Sequence, residues 1–90
     1  MTVHVVIGET GECSDRVEWL AVAFLDEEKA KARVIALDEW LRLHKMHRND
    51  DAEVPVEVRW DNTPTNPLDP HFRSDFTGTR YHIATVQVEE

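Results

Sequence analysis

One stretch of this chain, residues 24–48, is periodic enough for a helix of several turns, and the segments around it read as strand or turn. Asp26 suits the N-cap, Glu27 and Glu28 favour the first turn, and Leu25 is placed to pack on Ala30 as a hydrophobic staple. Ala30, Val34, Leu37 and Leu41, with Trp40 and His44 at the margin, make one apolar face. A single helix of this length in 90 residues implies one domain, with a core one layer deep.

The flanking segments supply the other layer. Val3, Val5 and Ile7 alternate with His4 and Val6, and residues 17–25 form a second strand, with Trp19, Ala21 and Ala23 on one face and Leu20, Val22 and Phe24 on the other. These two are expected to pair antiparallel. After the helix, Val54, Val56, Val58 and Trp60 alternate strictly, although Pro55 restricts that segment to an edge or a strand start. Residues 62–70 carry three prolines among Asn and Asp, which specifies successive turns. A last strand, residues 80–88, sets His82, Ala84, Val86 and Val88 against Tyr81, Ile83 and Thr85. The expected fold is α+β: an antiparallel sheet of three or four strands, in chain order β-β-α-β-β, with one long helix packed on one face.

Charge is unevenly placed. The net of minus eight divides into minus six over residues 1–28, plus four over residues 29–48 and minus six over residues 49–90. The helix ends complement the macrodipole, with Glu27 and Glu28 at the start and Lys45, His47 and Arg48 at the finish. Glu27 with Lys31 and Asp38 with Arg42 are favourable i,i+4 pairs. Lys29, Lys31, Arg33, Arg42, Lys45 and Arg48 scatter around the helix axis without forming a stripe, so direct binding to nucleic acid is not expected. No window has the apolar length of a membrane span, the N-terminus reads as a strand and not as a leader, and Cys13 has no partner for an internal disulfide. A reducing, cytoplasmic setting is the expectation.

Candidate chemical motifs fail on their details. The Gly8-Glu9-Thr10-Gly11 run lacks the Gly-Lys-Ser/Thr end of a phosphate loop and is surrounded by acids. Cys13 has Ser14 and Asp15 beside it and only Arg16 to activate it, too little for a nucleophile. His44 and His47 stand at i,i+3 without an acid or cysteine to complete a metal shell. Asp69, His71 and Asp75 lie among turn residues, and turn formation accounts for them. A metal-dependent or acid-base enzyme using these groups is the least supported reading, and no cofactor is expected.

Residues 3–11, Phe24-Leu25-Asp26-Glu27-Glu28-Lys29-Ala30, Asn66-Pro67-Leu68-Asp69-Pro70 and Thr77-Gly78-Thr79-Arg80-Tyr81 together resemble a group of short phage- and prophage-encoded proteins with no known shared activity. The resemblance leaves residues 52–62 unaccounted for. It implies a strand-strand-helix-strand fold and a non-enzymatic accessory protein that binds a host component, such as an anti-defence inhibitor of the anti-CRISPR kind. On that reading the acidic flanks, with Glu9, Glu12, Asp15, Glu18, Asp50, Asp51 and Glu53, face a basic surface on a host protein, for instance one that binds nucleic acid. The alternative is a homodimeric structural or assembly protein. A second apolar stripe on the helix, Ile35, Leu43 and Met46, is its candidate interface.

Overall fold

A computed structural model describes residues 1–11, 16–47, 65–74 and 78–89. They form β1 (Thr2–Thr10), β2 (Val17–Phe24), α1 (Glu27–Leu43) and β3 (Thr79–Gln87). The sheet has three strands in the order β2-β1-β3, both neighbours antiparallel to β1. This is the expected α+β arrangement of an antiparallel sheet with one helix. The fourth strand, expected over residues 54–60, lies outside the described residues.

Register decides which side chains meet the helix. Val6 pairs with Val22, but Ile7 pairs with Leu20, so Ala21 is left over as a bulge in β2. An extra residue reverses the facing of everything beyond it. Trp19 therefore joins Val22 and Phe24 against the core, and the strict alternation that grouped Trp19 with Ala23 is overturned.

The core consists of Val6, Ala30, Leu37, Leu41, Met46 and Tyr81, flanked by Trp19, Val22, Phe24, Val34, Trp40 and Ile83. The helix presents the face expected of it, because the i, i+4 and i+7 spacing of Ala30, Val34 and Leu37 aligns them over β1 and β3. Leu37 and Leu41 are almost completely buried, and truncating a leucine in such a position costs about 2–5 kcal/mol. Residues 65–74 dock on the same side through Leu68 and Phe72, and Phe72 meets Trp40 edge to face at 5.0 Å. Two turns shape this segment. Asp69 N–H donates to the Asn66 carbonyl and Phe72 N–H to the Asp69 carbonyl, and the Asn66 and Asp69 side chains each accept from the backbone two residues on. Pro67 and Pro70 follow Asn66 and Asp69 directly, where their fixed φ suits a turn.

Both helix ends have clear causes. At the start, Asp26 is extended and its carboxylate accepts from Glu28 N–H at 2.8 Å. Leu25, expected as a staple, is instead 67% exposed. At the finish, the helix stops earlier than its periodicity suggests. Lys45 takes a left-handed conformation (φ 56°), its N–H donates to the Arg42 carbonyl, and Met46 N–H reaches back to the Leu41 carbonyl at 2.8 Å. This is a Schellman motif, whose usual apolar contact is made here by Met46 and Leu41 in the core. Lys45 and His47 thus lie past the last turn, which holds only Arg42 as a basic residue. The chain then runs parallel to the start of β3, with Thr79 N–H donating to the Met46 carbonyl.

A lysine in the left-handed region carries a conformational cost that glycine avoids. Lys45→Gly is expected to stabilise the protein by about 1 kcal/mol, read as a higher denaturant midpoint at unchanged slope. Lys45→Val should lower the midpoint.

Candidate functional site

The helix and residues 65–74 cover one face of the sheet. The other face, turned away from α1, can be read row by row from the register. Val3 lies beside Val86, Val5 between Ala23 and Ala84, Ile7 between Leu20 and His82, and Glu9 between Glu18 and Arg80. None of the apolar residues in these rows belongs to the core, and Leu20 and Val86 are 66% and 46% exposed. Leu20, Ala23 and Val86 are exposed on this face, and Val3, Val5, Ile7 and Ala84 are half-buried.

The fourth row is charged but locally balanced. Glu9 is buried, with the Arg80 guanidinium on one carboxylate oxygen and Arg16 Nη2 2.6 Å from the other. The Arg16 contact is off the line of a hydrogen bond and acts as an ion pair. Arg16 also bridges to Glu18. Two arginines thus offset two glutamates, and Glu9, expected to belong to an exposed acidic surface, is withdrawn from it. Glu18 is exposed as expected. Glu12, Asp15, Asp50, Asp51 and Glu53 lie outside the described residues.

The second helix stripe is only partly as expected. Ile35 and Leu43 are 60% and 79% exposed, but Met46 is buried at 2% because the Schellman motif turns it inward. Residues 65–74 do not bury Ile35 or Leu43, since Phe72 packs instead on Trp40. A shallow open hollow of about 280 Å³ lies nearby, lined by Phe24, Lys29, Ala32, Arg33 and Ala36. Arg33 stacks over the Phe24 ring at 5.4 Å and donates to the Leu68 carbonyl, which ties residues 65–74 to the helix.

The groups considered for catalysis are dispersed or committed elsewhere. Asp69 is buried, and its Oδ2 accepts from Trp19 Nε1–H at 2.7 Å and Tyr81 O–H at 2.6 Å while Oδ1 accepts from His71 N–H. The His71 side chain is exposed, His44 stacks on Trp40 at 4.2 Å, and Asp75 lies outside the described residues. His47 is half-buried and follows the helix, so it does not share a helical face with His44. Among the described residues no group of three or more His, Cys, Asp and Glu side chains is arranged to hold a metal ion.

Trp19 and Tyr81 reach Asp69 because Gly8 separates them. Both pair with Gly8 across the sheet, and their rings meet edge to face at 6.3 Å. A Cβ on Gly8 would stand 2.5 Å from the Trp19 ring. Burial, and then the Asp69 carboxylate, push the Tyr81 phenol far above its ordinary pKa. The turn-forming role of Asp69 is legible in the sequence, but its partnership with two distant aromatics is not.

Comparison with known protein families, curated proteins and solved structures finds no match. No described helix is long and apolar enough to cross a membrane.

Gly8→Ala is expected to destabilise the fold by about 1–3 kcal/mol through overpacking against Trp19. The loss should shrink when Trp19 is also cut back to leucine, a non-additivity that a double-mutant cycle measures directly. Tyr81 gives a pH signature. Its folded pKa lies above the unfolded one, so its stabilising contribution is complete below pH about 10 and declines above it, where only the unfolded chain releases the proton. Since the chain has one tyrosine, phenolate absorbance reports it alone. The folded protein should show no phenolate until it unfolds, and Tyr81→Phe should flatten the alkaline loss of stability.

Proposed function

We propose that this chain is a non-enzymatic binding protein whose contact surface is the sheet face turned away from α1. The supporting observation is the run of aliphatic residues on that face, Val3, Val5, Ile7, Leu20, Ala84 and Val86, left outside the core and bounded by a charge-balanced row. Apolar surface of this kind marks interaction sites in small proteins. Asp69, weighed and set aside as a catalytic group, accepts from Trp19 and Tyr81 and ties its turn to the sheet.

Charge supplies a second element of the proposal. At minus eight, the molecule is drawn over distance toward positive surfaces whichever residues finally touch. This supports a basic host protein, such as one that binds nucleic acid, as the target of a small phage-type accessory protein acting in the cytoplasm. The anti-defence role is the form of that proposal in which the acids mimic phosphate charge. A fourth strand over residues 54–60 belongs to the same reading, on its alternation alone.

Leu20→Asp provides the test, because Leu20 is exposed and its replacement leaves the core intact. Immobilised wild-type chain should retain a host protein that the Leu20→Asp chain does not, with faster loss of the wild-type complex as salt is raised. Identical retention by both chains would sink the reading.

A further inference from the structure

We propose that the hollow between α1 and the end of β2 receives an extended acidic segment of a partner protein, which adds to the outer edge of β2 and seats one apolar side chain against Phe24. This surface is separate from the sheet face turned away from α1, and it selects the opposite charge to the one that the whole chain attracts.

Size and lining define the first part of the occupant. Phe24, Ala32 and Ala36 line the hollow, with Lys29 and Arg33 beside them. Its volume of about 280 Å³ lies below the roughly 300–1,000 Å³ of sites that enclose a small-molecule ligand, so it suits a side chain carried in by a larger partner.

Charge defines the second part. Among the described residues no carboxylate bridges Lys29 or Arg33. The first-turn acids are engaged elsewhere, since Glu27 and Glu28 both reach Lys31, which projects from the other flank of the helix. Arg33 is held in place over the Phe24 ring and by the Leu68 carbonyl that its Nη1 meets, and the rest of its planar fork remains to take an acid. Lys29 stands one turn earlier on the same flank, near the positive end of the helix.

The open strand edge makes the occupant extended. In the order β2-β1-β3, no described strand pairs with the outer side of β2. The bulge at Ala21 interrupts that edge, so its regular part beside the hollow is residues 22–24. A strand added there sends alternate side chains toward α1 at intervals of roughly 7 Å. That is close to the rise of about 6 Å between helix positions four apart, such as Lys29 and Arg33. An acid and an apolar residue two positions apart in the partner therefore meet a cation and the hollow together, while main-chain bonds to β2 hold the segment.

An NMR titration of the full chain with an acetylated peptide of alternating glutamate and leucine tests this. Amides of residues 22–24 and 29–36 should shift, although both molecules are acidic. A peptide of alternating lysine and leucine, which the net charge of minus eight favours, should leave those amides in place. Lys29→Gln should weaken binding about threefold, within the range of one exposed ion pair. Lys31→Gln removes the same charge from the other flank and should bind as wild type. Ala32→Glu sets an acid in the hollow and should weaken binding about tenfold. Lys29 and Ala32 are exposed, so neither change touches the core. Leu20→Asp should titrate as wild type.

Absence of shifts at residues 29–36 overturns the proposal, as do equal losses from Lys29→Gln and Lys31→Gln, or equal binding of a glutamate and serine peptide. Shifts confined to the helix overturn the strand addition. Shifts of the same amides on dilution of the chain alone give the hollow to a second copy and overturn the proposed partner. If Leu20→Asp loses a captured host protein while these amides never respond, the hollow is excluded and the sheet-face reading stands.

Discussion

The buried Asp69 carboxylate is the point at which the layers of this protein are locked. Trp19 comes from β2 and Tyr81 from β3, with β1 lying between them, and they meet only because Gly8 leaves the space above that strand empty. One carboxylate oxygen accepts from both, and the turn that carries it places Leu68 and Phe72 against the core. Removing a partner from such a cluster strands buried donors, at about 1–3 kcal/mol for each. For a small domain with a core one layer deep, that is a sizeable share of total stability.

The larger elements were legible in the sequence because they depend on local signals. Asp26 and the first-turn acids mark the helix start, Ala30, Leu37 and Leu41 mark its buried face, and Asn66-Pro67 with Asp69-Pro70 mark the turns. What was not legible depends on contacts between distant residues or on a conformation contrary to residue preference. A lysine in the left-handed region announces no helix end, so Met46 looked like part of an exposed stripe. An alanine in a strand announces no bulge, so strict alternation separates Trp19 from Val22 and Phe24, which share its face. Glu9 looked like one acid among many, but Arg80 is 71 residues away in sequence.

Charge shows the same contrast between count and placement. The net of minus eight is a property of the whole chain, yet the described sheet face carries a balanced set in Glu9, Glu18, Arg16 and Arg80. In the proposed binding role, long-range attraction and local contact would therefore be served by different parts of the molecule, the total charge acting on approach and the nearly neutral sheet face on fit.

The surplus Ala21 also limits how the chain can vary. Because it is the one residue without a partner between Leu20 and Val22, its deletion would close a regular ladder with Leu20 still opposite Ile7 and Trp19 still opposite Gly8. If Ala21 were instead drawn into regular pairing with no residue lost, Trp19 would turn outward and Leu20 would be driven toward the core. The bulge acts as a punctuation mark: it keeps one half of the strand in phase with the other, and moving it alters the reading of every residue before it.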